Sequence, residues 1–232
     1  MAEVVQSSEI YRLHVMLLHI NPPIWRRLLV RSNTSIADLH DILQISFEWT
    51  DFHLHRFLIR GKEYGVGRAG CTSFSTDARK TLLSHFRFRL NERFLYEYDF
   101  RDLWQHQVRI EGIELFEQKK VYPVCISGVN AAPPEDCGGP KAYMDRIEHH
   151  WLNPPLEALE VIADAVRVVL KSREEENIRD QIGDLDALQE AVEELKAYQR
   201  FRPERFDRRR VTRRLKQYAH GDDGWKWEVI SA

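Results

Sequence analysis

Arg93-Phe94-Leu95-Tyr96-Glu97-Tyr98-Asp99-Phe100-Arg101-Asp102-Leu103-Trp104-Gln105-His106-Gln107-Val108-Arg109-Ile110-Glu111 decides the fold. Residues 93–100 alternate with period two. Phe94, Tyr96, Tyr98 and Phe100 fall on one face, with Glu97 and Asp99 opposite, the pattern of a half-buried strand. Arg101-Asp102 turns the chain, and residues 104–111 return as the second strand of a hairpin.

Working outward, residues 10–19 form a strand with Tyr11, Leu13, Val15 and Leu17 on one face. Asn21-Pro22-Pro23 breaks it, and residues 24–30 return as its hairpin partner. Ser35-Ile36-Ala37-Asp38 opens a helix over 36–48, with Ile36, Leu39, Leu43 and Phe47 at helical spacing. Residues 52–59 return to strand character, so His53, His55, Phe57 and Ile59 share a face. Residues 61–80 read as a loop, 122–126 as a short strand and 127–140 as a Gly/Pro-rich loop.

Composition then shifts. Asn153 caps a helix with Pro154 at its first position, and Leu156, Leu159, Ala163, Val166 and Leu170 make its apolar stripe. An acidic helix follows over 174–198. Asp207 caps a last helix with Val211, Leu215 and Tyr218 inward, and Trp225 and Trp227 close the chain. The expected fold is α+β: a mixed, mainly antiparallel sheet packed with a helix, followed by a helical C-terminal region. The expected division is a core over 1–153 and a helical region over 154–232 packing back on it.

The 232 residues are 43% hydrophobic and 30% charged, which excludes a disordered or collagen-like chain. No uncharged apolar run approaches the ~18–20 residues of a membrane span, and the first residues lack a basic segment followed by an apolar one. Three widely spaced cysteines, Cys71, Cys125 and Cys137, argue for a reducing, cytoplasmic setting and against a disulfide scaffold or a cysteine-only zinc site.

The net charge of −2 hides an uneven distribution. Residues 174–194 hold nine acidic residues and one basic one. Residues 200–217 hold nine basic residues and two acidic ones, a local excess of seven. Arg208, Arg209, Arg210, Arg213, Arg214 and Lys216 are therefore candidates for contacting DNA or RNA phosphates. The alternative is that the basic helix folds back on the acidic one.

Three other groups carry candidate chemistry. In Trp49-Thr50-Asp51-Phe52-His53-Leu54-His55, imidazoles two residues apart on a strand point the same way, and with Asp99, Asp102 and His106 they form a candidate divalent-metal set that can activate water. His53, His55, Asp99 and His106 are the candidate ligands, and Trp49 and Trp104 line the expected cleft. The alternative is a set of hydrogen-bonded histidines in a half-buried sheet. In Pro133-Pro134-Glu135-Asp136-Cys137-Gly138-Gly139, Glu135 and Asp136 beside a thiol are candidate acid/base groups, or else residues that cap backbone N–H groups in a tight loop. The Phe94–Phe100 aromatic face can stack bases or form a core. No phosphate-binding glycine loop occurs.

Together these segments resemble the plasmid pRiA4b ORF-3-like family. Pro22-Pro23-Ile24-Trp25-Arg26-Arg27, Leu39-His40 and Trp49–His55 resemble its opening. Tyr96–His106 resembles its Tyr-x-Tyr-Asp-Phe-Gly-Asp-x-Trp-x-His segment, Pro133–Gly139 its Pro-Pro-Glu-Asp-x-Gly-Gly loop, and Pro203–Asp207 with Val211 and Leu215 its close. The resemblance implies an α+β fold and a setting on plasmids or as a transposon passenger, with no established reaction. This sequence departs from the family pattern at Arg101, where a glycine is usual, and at Ala132, where a cysteine is frequent. The connection over 156–200 is also longer. A glycine at 101 would serve a turn needing positive φ.

Three functions follow as expectations. The first is a non-catalytic binding protein tied to mobile DNA, contacting nucleic acid or a partner. The second is a metal-dependent hydrolase using His53, His55, Asp99, Asp102 and His106. The third is a protein-interaction module whose charged helices dock on each other.

Overall fold

The computed structural model describes residues 9–66, 74, 76–171 and 183–226. Cys71, Trp227 and the start of the acidic stretch lie outside the described residues. The chain divides into two compact units: Met1–Met144 with Pro203–Ser231, and Asp145–Arg202.

The first unit is built on a seven-stranded sheet in the order β4-β3-β5-β6-β1-β2-β7. The strands are β1 (Glu9–Leu17), β2 (Ile24–Arg31), β3 (His55–Ile59), β4 (Lys62–Tyr64), β5 (Arg93–Tyr98), β6 (Trp104–Leu115) and β7 (Val124–Val129). Every neighbouring pair is antiparallel. The β5–β6 hairpin joins the two halves, because β6 also pairs with β1 along its length. Tyr11, Leu13, Val15 and Leu17 are buried, as are Phe94, Tyr96 and Tyr98. The fold class is the expected α+β.

Helix α1 (Ile36–Phe47) covers the buried face. Ser35 Oγ accepts the Asp38 N–H, and the Asp38 carboxylate accepts the Ser35 N–H, a complete capping box. The helix ends because Glu48 adopts φ 61° and sends its N–H back to the carbonyls of Gln44 and Ile45.

Several boundaries differ from expectation. β3 begins at His55, because Asp51 is left-handed at φ 59° and the alternation of 52–55 belongs to a loop. β5 ends at Tyr98, and the left-handed residues of its turn are Asp99 and Leu103, both at φ 55°. Arg101 is not left-handed, so the missing family glycine costs this turn nothing. β6 runs on to Leu115, and β7 takes in residues read as loop.

The last helix, α5 (Arg208–Ala219), belongs to the first unit and packs on β7 and α1. Asp207 caps it by accepting the Arg210 N–H. Val211 and Leu215 are fully buried, Thr212 donates to the Cys125 carbonyl, and the Tyr218 hydroxyl reaches Asp38 and Asp41.

Helix α2 (Gly139–Leu152) occupies a stretch that carries no clear sequence signal. In the second unit, α3 (Leu156–Lys171) packs against α4 (Leu185–Arg200). Asn153 does not open α3. It closes α2, donating both its backbone N–H and its amide to the His149 carbonyl. Leu156, Leu159, Val166 and Leu170 of the predicted stripe are exposed, and Ala158 is the buried residue. His150 stacks on Tyr198 at 4.0 Å.

Arg26 on β2 ties the first unit together. It has no exposed surface. Its guanidinium donates to the carbonyls of Ser46, Trp25 and Val129, each at 2.9 Å, and lies 3.8 Å from the Phe206 ring centroid. Burial lowers its pKa to about 10, so it remains charged at neutral pH. Replacing it with leucine leaves buried carbonyls without a donor. Arg26→Leu is expected to lose about 3 kcal/mol, read as a lower urea midpoint at unchanged slope. A loss under about 0.5 kcal/mol, within the range of an ordinary surface change, contradicts this role.

Candidate functional site

Three loops of the first unit meet beside α1: residues 48–54, the turn over 99–103, and residues 130–138. Trp49 anchors the first. It is buried, stacks on Tyr98 at 5.1 Å and 20°, and donates its indole N–H to the Pro133 carbonyl at 2.8 Å. Glu135 then clasps the first loop from the third. One carboxylate oxygen accepts the Thr50 N–H at 3.0 Å and the Thr50 hydroxyl at 2.6 Å, and the other accepts the Tyr98 hydroxyl. Burial, then this carboxylate, push the Tyr98 phenol far above its usual pKa, so it stays a donor.

The turn is fixed in the same way. Asp99 is buried, and one oxygen accepts the N–H groups of Arg101 and Asp102. Asp102 accepts the Gly138 N–H at 2.9 Å. Gly139 sits at φ 81°, and a Cβ there would lie 2.6 Å from the Asp102 carbonyl oxygen. Only glycine permits both the conformation and the approach.

The expected histidine set divides into two places. His53 Nε2 lies 2.9 Å from Asp136 and 3.6 Å from Asp99. His55 instead stacks on His40 of α1, with ring centroids 3.4 Å apart and planes within 10°. His40 Nε2 is 2.8 Å from Asp51, and its Nδ1 is 2.8 Å from the Tyr96 hydroxyl. Gln44 holds both neighbours, donating to the Tyr96 hydroxyl at 2.8 Å and accepting the Asp51 N–H at 3.0 Å. Among the described residues, two ligand-type groups therefore exist, His40-Asp51-His55 and His53-Asp99-Asp136.

Trp104 and His106 lie under this surface as buried floor. The His106 ring meets Phe47 and Trp49 edge-on and packs against Tyr96. It joins neither group. The aromatic face of β5 is core, and Phe100 leaves it to lie under Arg56. The buried Cys125 thiol is pushed up to about 11 by burial, and Cys137 is partly exposed.

The arginines of α5 also divide. Arg210 pairs with Glu48, the cap of α1, and the buried Arg214 donates to the Trp225 carbonyl. Arg208, Arg209, Arg213 and Lys216 are exposed.

His40, Gln44, Asp51 and Tyr96 escaped the sequence reading as site residues. A signal existed in α1: His40 and Gln44 interrupt its apolar face four residues apart.

A profile of the family described as Plasmid pRiA4b ORF-3-like protein matches residues 9–167, more than half of the chain. The chain belongs to this family. It is 33% identical over 148 residues to the uncharacterized protein y4hQ of Sinorhizobium fredii (strain NBRC 101917 / NGR234), covering 61% of this chain and 73% of the relative. It is also similar to the crystal structure of MM3350, a protein of unknown function from Methanosarcina mazei Go1. That match has 31% identity and a TM-score of 0.59, over 88% of this chain and 97% of that one. These relatives are uncharacterised. Among the described residues, no helix is long and apolar enough to cross a membrane.

The buried floor has a pH consequence. Burial lowers the His106 pKa from 6.5 to about 3, so the ring is neutral in the fold. Its contribution is whole above about pH 6.5 and is lost as pH falls toward about 3, because the unfolded chain binds the proton first. His106→Leu is expected to flatten the decline in stability between pH 6.5 and pH 4, by roughly 3 kcal/mol at pH 4. Urea titrations at several pH values check it, and parallel profiles for the two proteins contradict it.

Proposed function

We propose that this protein binds nucleic acid through phosphate contacts along the outer face of α5. The observation that carries this reading is the division of the helix's cations. Val211, Arg214, Leu215 and Tyr218 occupy one side, and Arg209, Arg213 and Lys216 recur at helical spacing on the exposed one. Over seven residues the stripe runs about 10 Å along the axis. Among the described residues, none of these three side chains forms an ion pair with a carboxylate. Because α5 is packed on the sheet and pinned through Arg210 to Glu48, the stripe is presented by a fixed element rather than a tail, and ordering it on binding costs little entropy.

Phosphate contacts of this kind carry no sequence information, so the expected behaviour is salt-steep binding with weak sequence preference. A setting on mobile DNA, in keeping with the plasmid in the family's description, would supply such a ligand. The protein-interaction reading predicts no nucleic-acid affinity at all.

The experiment is fluorescence anisotropy with labelled duplex DNA and single-stranded RNA, titrated against salt. The triple change Arg209→Ala, Arg213→Ala and Lys216→Ala is expected to weaken binding. It should also flatten the slope of log affinity against log salt by about 2.7 on duplex DNA, from roughly 0.9 per phosphate contact. Absence of binding at low salt, or an unchanged slope in the variant, contradicts the reading.

A further inference from the structure

We infer that His40, Asp51 and His55 form a binding site for one divalent late first-row metal ion of the zinc class. The inference is independent of the nucleic-acid reading, because it rests on His40 within α1, Asp51 in the loop before β3 and His55 at the start of β3, and on no residue of α5.

The donor set is the first reason. Two imidazoles and a carboxylate offer ligand atoms that all lie within 4.8 Å of one another. Two nitrogens sharing a tetrahedral ion at bonds of about 2.0–2.1 Å sit roughly 3.3 Å apart, a separation that falls inside the 4.8 Å bounding the ligand atoms of this group. The rings are stacked and nearly parallel, so binding one ion through both requires the His55 ring to turn out of the stack. Three protein ligands leave a fourth position for water or a bound group.

The surrounding contacts are the second reason. A metal-ligating histidine generally donates its other N–H to a fixed oxygen, which sets its tautomer. His40 can adopt this arrangement: Nδ1 meets the Tyr96 hydroxyl, and with the proton on Nδ1 the Nε2 lone pair faces Asp51. Gln44 fixes the tyrosine oxygen and the Asp51 backbone at once. Asp51 is held at φ 59°. Its carboxylate is partly exposed and both histidines are buried, so the site opens to water only on the aspartate side.

The third reason is the contrast with His53-Asp99-Asp136. There, one Asp99 oxygen takes two backbone N–H groups of its own turn and the other lies 3.6 Å from His53, while Asp136 is mostly exposed. That group is less enclosed than His40-Asp51-His55, whose aspartate is 19% exposed.

The test is binding of Co²⁺ alone to the untagged, chelator-treated full chain. It is followed by the visible absorption of the ion and by calorimetry, with Zn²⁺ as competitor. One equivalent per chain is expected, with tetrahedral-type absorption that Zn²⁺ displaces. Asp51→Asn and His55→Gln are each expected to weaken binding at least tenfold. Tyr96→Phe should weaken it ten- to a hundredfold at the same stoichiometry, and His53→Gln should leave it unchanged. Zn²⁺ should raise the melting temperature of the wild-type chain but not of Asp51→Asn, which keeps a loop residue of the same shape. No binding by the wild-type chain overturns the inference. Binding that survives in Asp51→Asn and His55→Gln, or that disappears in His53→Gln, also overturns it.

Discussion

Arg26 brings a charged guanidinium into a place with no exposed surface, and the layout of the first unit follows from what it needs there. Its donors require carbonyls, and these come from β2 itself, from the last turn of α1 and from β7. Its flat faces require aromatic rings, and Phe47 and Phe206 supply them at 5.0 and 3.8 Å. A buried charge held through Nε and one terminal nitrogen by three carbonyls, and between two rings, fixes where the end of α1 sits against the sheet edge, and where the chain re-enters before α5. Glu48 follows Phe47 directly, so the same constraint positions the acid that receives Arg210.

The end of α1 in turn sets the site. Left-handed turns at Glu48 and Asp51 throw Trp49 onto Tyr98 and bring Asp51 back beside His40. Buried aromatic rings and the neutral His106 exclude water beneath, and this raises the worth of each hydrogen bond above them. Charged groups thereby hold loops together: Glu135 on Thr50 and Tyr98, Asp102 on Gly138, Asp99 on its own turn. The acids of the 133–139 loop, read from sequence as acid/base candidates or as caps of backbone N–H groups, tie loops together here: Glu135 accepts the Thr50 N–H and Asp136 meets His53. The basic helix is likewise two things, with Arg210 and Arg214 turned to the fold and a stripe of cations turned to solvent.

The hairpin and α1 were legible because period two runs over Phe94–Tyr98 and because Ile36, Leu39, Leu43 and Phe47 keep helical spacing. The start of β3 was not, because Phe52, His53, Leu54 and His55 alternate while Asp51 sits left-handed, and local polarity carries no record of φ. Helix α2 was hidden by a charged, histidine-rich sequence with a weak apolar stripe. Asn153 was misread because an asparagine between two helices can close the first as readily as open the second. Of the site, the residue types around 49–55, 99–106 and 133–139 stood out, but their grouping did not. His53 and His55 are two residues apart in sequence and belong to different clusters. The partner that His55 meets, His40, lies on another element and looks like an interruption of a core face.

Native-state hydrogen exchange of the loop amides tests the central claim, that three loops are locked into one site, most directly. The N–H groups of Thr50 and Gly138 donate to side chains of a neighbouring loop or turn, that of Asp51 to Gln44 on α1, and that of Asp102 to Asp99 within its own turn. They are expected to exchange with protection comparable to the strands β5 and β6, and Glu135→Ala should release Thr50 while leaving Asp51 and its Gln44 partner protected. Exchange of all four at the rate of open loops would contradict the account.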